Sequence, residues 1–262
     1  MAEPVTYASY LRLPELLALQ TPRSDGPEHD EMLFIIVHQA YELWFKQILH
    51  ELDRLQVLLA AGDVTRVRHA LKRVLTILKV LVGQLDILET MTPLEFLTFR
   101  DRLESGSGFQ SFQFRALEFA LGRKRRGAVT HYPEGSAARA WLMDRFERPS
   151  IWDAFLRYLA DAGYAVPASQ LERDVTAPIE ASPELQRVLI EIYRSDAGVR
   201  ELCERYVDLD EGVQEWRYRH VKMVERTIGA KMGTGGSTGA EYLRTTLMQP
   251  AFPDLWEIRT EL

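Results

Sequence analysis

Apolar residues recur along most of this chain at three- and four-residue steps, the spacing of helices with one buried face. Asp30 to Ala60 is one long apolar-rich stretch that opens with acidic residues and stops at Ala61-Gly62. Asp63 is placed to cap the next stretch, Val64 to Met91, where Val67, Leu71, Val74, Leu78, Leu81, Leu85 and Leu88 keep the helical period. Thr92-Pro93 interrupts it and starts a helix running to about Leu103, with proline at its first position. Glu104 to Gly108 reads as a Gly/Ser loop, and Phe109 to Leu121 as helix again. The basic run Arg123 to Arg126, continuing to Gly135, reads as a surface loop. Helical patterns resume at Ser136–Arg145, Ser150–Ala162, Pro183–Tyr206 and Leu209–Ala230.

No window alternates with the period of a strand, so no sheet is expected. The pattern predicts an all-α, single-domain helical bundle over residues 1–262 with long buried helices. The proline-bearing loop Arg173–Ser182 is too short and mixed to divide it. The helix beginning at Asp30 is apolar nearly all round: Leu33, Phe34, Ile36, Val37, Ala40, Tyr41, Leu43, Trp44, Ile48. Such a helix is buried inside a large bundle or an oligomer, and at this chain length oligomer burial carries weight.

Composition narrows the setting. Of 262 residues, 46% are hydrophobic and 27% charged, the balance of a soluble globular protein, and a net charge of −6 argues against nucleic-acid or anionic-membrane partners. The single cysteine, Cys203, allows no internal disulfide and fits a reducing compartment. The first residues show no basic segment followed by an apolar one, and apolar runs such as Leu33–Val37 are far too short for a membrane span. A cytoplasmic protein is expected.

Three side chains stand out chemically. His38 lies mid-helix in FIIVHQAYELW, either as a core histidine satisfied by a neighbour or as a neutral imidazole facing a ligand. His220 interrupts an apolar face formed by Val213, Trp216, Met223 or Val224, and Thr227. It needs a hydrogen-bond partner or something to coordinate. No other ligand stands at zinc spacing, but haem brings four nitrogens of its own and asks for a single axial side chain. Arg100 shares a face with Phe96 and Leu103. It either pairs with an acid such as Glu95 or Asp101, or offers a bidentate fork to a ligand carboxylate. The loop Lys231–Gly239 fails both nucleotide-binding patterns, since its lysine precedes the glycines and no strand leads into it. It reads as a cover for a small anionic ligand or as a plain connection. Cys203 lies in an apolar helical context and is expected to be inert.

Four segments, YASYLRL at Tyr7–Leu13, HDEMLFIIVHQAYELWFKQILHEL at His29–Leu52, FRDRLESGSGFQSFQFR at Phe99–Arg115 and RHVKMVERTIGAKMGTGGSTGAEYLRTTL at Arg219–Leu247, together resemble the tryptophan 2,3-dioxygenase family. They occur in the family's order over nearly the whole chain. The last is highly specific, and Gly122–Val207 carries no motif. The resemblance implies a homotetramer, a dimer of dimers, containing haem b that is ferrous when active. It would insert both atoms of O2 across the indole C2–C3 bond of L-tryptophan to give N-formylkynurenine, the first step of tryptophan degradation. His220 matches the axial haem ligand and His38 the distal histidine that bonds the indole N–H. Phe34 matches an aromatic residue packing on the indole, and Arg100 the carboxylate-binding arginine. Thr234 matches a threonine at the amino-acid end, and Phe96 and Leu103 match pocket walls. Some relatives carry tyrosine where Phe96 stands. Tyr7, Tyr10 and Leu11, within a leader over residues 1–20, match residues that reach a neighbouring subunit's site. A haem-based gas or redox sensor would share His220 without needing Arg100 and Thr234, and a helical interaction protein would need neither histidine. An indoleamine dioxygenase of broad substrate range is the nearest enzymatic competitor.

Overall fold

A computed structural model describes residues 4–26, 28–233 and 240–262. Among them every regular element is helical. Three long helices form the centre: α3 (Asp30–Ala60), α4 (Val64–Leu88) and α12 (Ala197–Ile228). The turn joining α3 to α4 is fixed locally. Gly62 takes φ 66°, which only glycine adopts without strain, and the Asp63 carboxylate accepts the Arg66 N–H as the cap of α4. The two helices therefore lie antiparallel, and α4 packs on its other side against α12.

The seam is fully apolar. Ile48, Leu52, Leu55 and Leu59 of α3 meet Val67, Leu71, Val74 and Leu81 of α4, all essentially inaccessible. Fully burying one such side chain contributes about 1.5–3 kcal/mol, which makes this hairpin the stabilising centre of the bundle. Met32, Ile36 and Leu43 nevertheless remain exposed on α3, so its all-round apolar character is not used up within one chain.

An outer layer sits on the long helices. It includes α5 (Pro93–Phe99), α6 (Phe112–Ala120), α7 (Arg126–Thr130), α8 (Ala137–Glu147), α9 (Ile151–Asp161) and α11 (Pro183–Ser195). Short helices α1 (Tyr7–Leu11), α2 (Leu13–Leu16), α10 (Ala168–Leu171), α13 (Ala240–Thr245) and α14 (Pro253–Glu257) complete it. Asp210 of α12 ties the C-terminal segment down. One buried carboxylate oxygen accepts from Ala251 N, Phe252 N and Trp256 Nε1 at 2.8, 3.2 and 2.9 Å. The carboxylate replaces water for three donors that burial would otherwise leave unsatisfied.

Several boundaries differ from those expected. The helix predicted over Pro183–Tyr206 breaks at Asp196, whose carboxylate accepts the N–H groups of Gly198 and Val199 and so restarts the helix as α12. This cap outweighed the continuous apolar pattern. The stretch expected to be helical to Met91 leaves the α-helix after Leu88. The helix from Pro93 tightens into a 3-10 turn over Arg100–Leu103, and Phe109–Leu121 divides into a 3-10 turn at Gly108–Gln110 followed by α6.

The surface loop expected over Arg123–Gly135 is a misreading of a charged run. It contains α7, and Lys124 is buried beneath it. Lys124 Nζ donates to the carbonyls of Arg145, Phe146 and Arg148 at 3.2, 2.9 and 2.7 Å, satisfying the end of α8. Gly122 makes the inward turn possible. Its φ is 87°, and a Cβ there would lie 2.1 Å from Ile179 Cδ1.

Candidate active site

One large cleft opens between α3, α5, α6 and α12, with about 250 Å³ for the centres of water-sized atoms, many times what a single bound water needs. Phe34, His38, Phe96, Arg100, Trp216 and His220 all line it. Residues more than 180 positions apart thus share one cavity because α3 and α12 both pack on α4.

His38 and His220 are deeply enclosed, yet each keeps accessible surface, because that surface faces the cavity rather than bulk water. Burial pushes His220 down to about 4, helped by the charges of His38 and Arg115. Burial also lowers His38, against the opposing pull of the Phe34 carbonyl and Glu42. Both imidazoles are therefore neutral at neutral pH. Trp216, one turn before His220, stacks on it with centroids 5.1 Å apart and planes within 8°, fixing the direction of the ring. His38 Nδ1 lies 2.7 Å from the Phe34 carbonyl oxygen and Phe34 packs on the imidazole at 4.0 Å, so this ring too is held on both sides.

Phe34 also meets Phe96 and Phe99, at 5.8 and 5.6 Å, which makes an apolar aromatic wall beside His38. Arg100 borders it. Its guanidinium donates to the Met232 carbonyl at 2.6 Å, and no ion pair joins it to Glu95 or Asp101 among the described residues. Glu95 instead serves the cap of α5, accepting the Thr92 N–H at 2.6 Å. The cavity therefore has an apolar slot, two neutral imidazoles and a cation at its edge, the set suited to a flat apolar molecule bearing a carboxylate.

Not every expected residue lies on this wall. Leu103 packs beside the hydrophobic core and does not line the cavity. Tyr7 and Tyr10 are 76% and 77% exposed, Leu11 is also exposed, and none of them reaches the cavity of its own chain. Thr234 lies outside the described residues. Cys203 is fully buried, which pushes its thiol up to about 12 and fits an inert side chain.

The sequence reading missed a charged group on the same wall. Glu118 of α6 is buried and accepts from Arg115 Nη1 at 2.6 Å, Arg125 Nη2 at 2.8 Å and Arg217 Nη2 at 2.7 Å. Burial alone would raise the Glu118 carboxyl, but the three guanidiniums bring it below the usual carboxylate value. The available signal was Arg217, three residues before His220 on the cavity face of α12.

The described residues contain no cluster of three or more His, Cys, Asp or Glu able to hold a bare metal ion. A lone, neutral, cavity-facing imidazole on an apolar helix face suits a prosthetic group that carries its own metal ligands, so the site fits haem.

The family described as tryptophan 2,3-dioxygenase matches residues 1–132 and 186–262. The chain is 59% identical over 262 residues to a tryptophan 2,3-dioxygenase of Herpetosiphon aurantiacus, covering all of both proteins. It is 57% identical over 258 residues to one from Anaeromyxobacter sp., covering 98% of this chain and 96% of that protein. With one from Caulobacter vibrioides it shares 46% over 265 residues, again covering the whole of each.

Proposed function

The chain belongs to the tryptophan 2,3-dioxygenase family, and on that premise we propose how its residues divide the work of the reaction. The reaction is the oxidation of tryptophan by O2 to N-formylkynurenine, an oxidoreductase activity of a haem-dependent family. The cofactor would be haem b, ferrous in the active state, with His220 the side chain that would hold its iron. The observation that carries this reading is the single cavity in which His220 and His38 both present neutral imidazoles beside an aromatic slot and Arg100.

Haem supplies the activation of O2, which no side chain in the cavity provides. The protein's contribution is placement. Trp216 sets the His220 ring, and burial keeps its ligating nitrogen free of a proton. Phe34 and Phe96 receive the indole. His38 uses Nδ1 to hold the Phe34 carbonyl, which leaves Nε2 as an acceptor for the indole N–H. That bond orients the substrate, and no strong base is needed. Arg100 takes the substrate carboxylate as a fork, and Thr234 serves the amino-acid end of the substrate. Holding C2 and C3 of the indole against the oxygen in one orientation is a large part of catalysis in such a site.

The exposed leader and the exposed apolar residues of α3 support assembly as a homotetramer, a dimer of dimers. In it the whole of residues 1–262 acts as one haem-binding domain, and Tyr7, Tyr10 and Leu11 reach a neighbour's pocket. No helix among the described residues is long and apolar enough to cross a membrane. The enzyme works in the cytoplasm on L-tryptophan and O2, with neither nucleic acid nor membrane as partner.

The test is anaerobic reduction of the holoenzyme, then O2 and L-tryptophan, while the haem spectrum and N-formylkynurenine are followed together. His220→Ala is expected to lose the histidine-ligated spectrum or most of its haem. Full haem content with wild-type turnover in that variant overturns the ligand assignment.

A further inference from the structure

The two cavity histidines are held in different ways. His38 bonds the carbonyl one turn behind it. His220 makes no such bond among the described residues, and its ring rests on Trp216, stacked at 5.1 Å with planes within 8°. Whatever fixes Trp216 therefore fixes the imidazole. Phe45 of α3 and Phe114 of α6 pack on the indole at 6.1 and 4.9 Å, but aromatic contacts of this kind tolerate a range of offsets. A hydrogen bond is more directional.

Trp216 is 9% exposed, and its Nε1–H is buried with no partner of ordinary hydrogen-bond geometry. A buried indole N–H usually finds an acceptor. Tyr41 offers one. Its hydroxyl donates its single hydrogen to the Leu81 carbonyl of α4 at 2.6 Å, which leaves the oxygen able only to accept. The Tyr41 and Trp216 rings meet edge to face at 6.3 Å, and both side chains line the cavity. Burial pushes the Tyr41 hydroxyl above its usual range, and the Trp216 side chain, acting on it as a donor, pulls the other way.

We propose that Tyr41 is a positioning residue for the metal-binding imidazole: its hydroxyl, anchored on the Leu81 carbonyl, takes the Trp216 indole N–H and so sets the plane of the His220 ring stacked on it. The inference rests on the haem reading above, in which His220 is the ligand. The relay crosses all three long helices, from the backbone of α4 through Tyr41 on α3 to Trp216 and His220 on α12. Partners one step removed from a ligating histidine orient it in this way and tune its hold on the metal. Tyr41 lies three residues after His38, so α3 supplies both the acceptor for the substrate and the support for the ligand.

The experiment reads the iron–histidine stretch of the ferrous holoenzyme by resonance Raman, together with the rate at which haem passes to excess apomyoglobin. Tyr41→Phe keeps the ring and removes the hydroxyl. It should shift or broaden the iron–histidine band and speed haem loss roughly 2- to 12-fold, the effect of one net hydrogen bond. Trp216→Phe keeps a ring for His220 to stack on and lacks the N–H, so it should move the band as well. The two changes together should speed haem loss by clearly less than the product of their separate factors, because both cut one relay. A role confined to holding the fold together would lower the unfolding midpoint and leave the band in place. A band unmoved in Tyr41→Phe, or separate factors that multiply in the double variant, overturns the proposal while the haem reading stands. Absence of an iron–histidine band from the wild-type holoenzyme overturns both. Should Tyr41→Phe fail to fold, Trp216→Phe decides from the donor's side: a moved band supports the relay and an unmoved one overturns it.

Discussion

His38 Nδ1 lies 2.7 Å from the carbonyl oxygen of Phe34, one turn earlier on the same helix. A carbonyl only accepts, so Nδ1 carries the hydrogen and Nε2 is left with a lone pair. The backbone of α3 thereby selects the tautomer, and the His38 imidazole becomes an acceptor for an N–H group.

A positioning acceptor is important without being obligatory. His38→Ala should bind haem normally and turn over L-tryptophan more slowly. It should accept 1-methyltryptophan relatively better, because the methyl group fills space the imidazole leaves. The measurement is kcat/KM for both substrates. Complete loss of turnover with haem and substrate binding intact would point to a base instead.

The same histidine gives a pH signature. Burial lowers its pKa below the ordinary 6.5, so the neutral acceptor survives as pH falls through that value. KM for L-tryptophan should stay level across pH 6.5 and rise only at lower pH. The stability consequence follows from linkage. In the window between 6.5 and the lowered folded value the unfolded chain binds the proton first, so this group makes the fold less stable as pH drops there. A break in KM at 6.5 would show an imidazole open to water.

Arg100 distinguishes a dioxygenase pocket from a gas-sensing one. A buried charge-assisted fork contributes about 2–4 kcal/mol, so Arg100→Leu should lose roughly 30- to 1,000-fold in kcat/KM for L-tryptophan. It should bind haem normally and lose its preference over tryptamine, with Arg100→Lys recovering part of it. A wild type that turns over tryptamine as well as L-tryptophan excludes the clamp.

Glu118→Gln removes the anion from a buried group of guanidiniums. Breaking such a cluster costs about 3–5 kcal/mol, which denaturant unfolding of the apoprotein would read as a lower midpoint at unchanged slope. A change below about 1 kcal/mol, the range of exposed pairs, would mean the cluster is open to water.

Much of this was legible in the sequence, and the exceptions have physical causes. The Asp30–Ala60 helix was read to its ends because an acidic first turn and Ala61-Gly62 mark both. His38, Arg100 and His220 stood out because each interrupts an apolar face, the family resemblance added Phe34 and Phe96 and implied a role for each, and all five line one cavity. Lys124 was misread because a basic run resembles solvated surface, and its three carbonyl partners arrive from α8 and the residue beyond it, more than twenty positions on. Glu118 was missed for a similar reason. Its pairing with Arg115 is local, but Arg217 lies 99 residues away. Asp196 ended a helix that the apolar pattern would have continued, since a cap acts through one side chain and leaves the periodicity untouched.

The packing of both α3 and α12 on α4 also orders events during synthesis. The α3–α4 hairpin is local and carries its own apolar seam, so it can form early on the emerging chain. His38 is then in place, but the face of α12 that carries His220 is not yet made. On the proposed assignment of His220, haem capture would wait for the last quarter of the chain, and a chain stalled before α12 would lack that ligand.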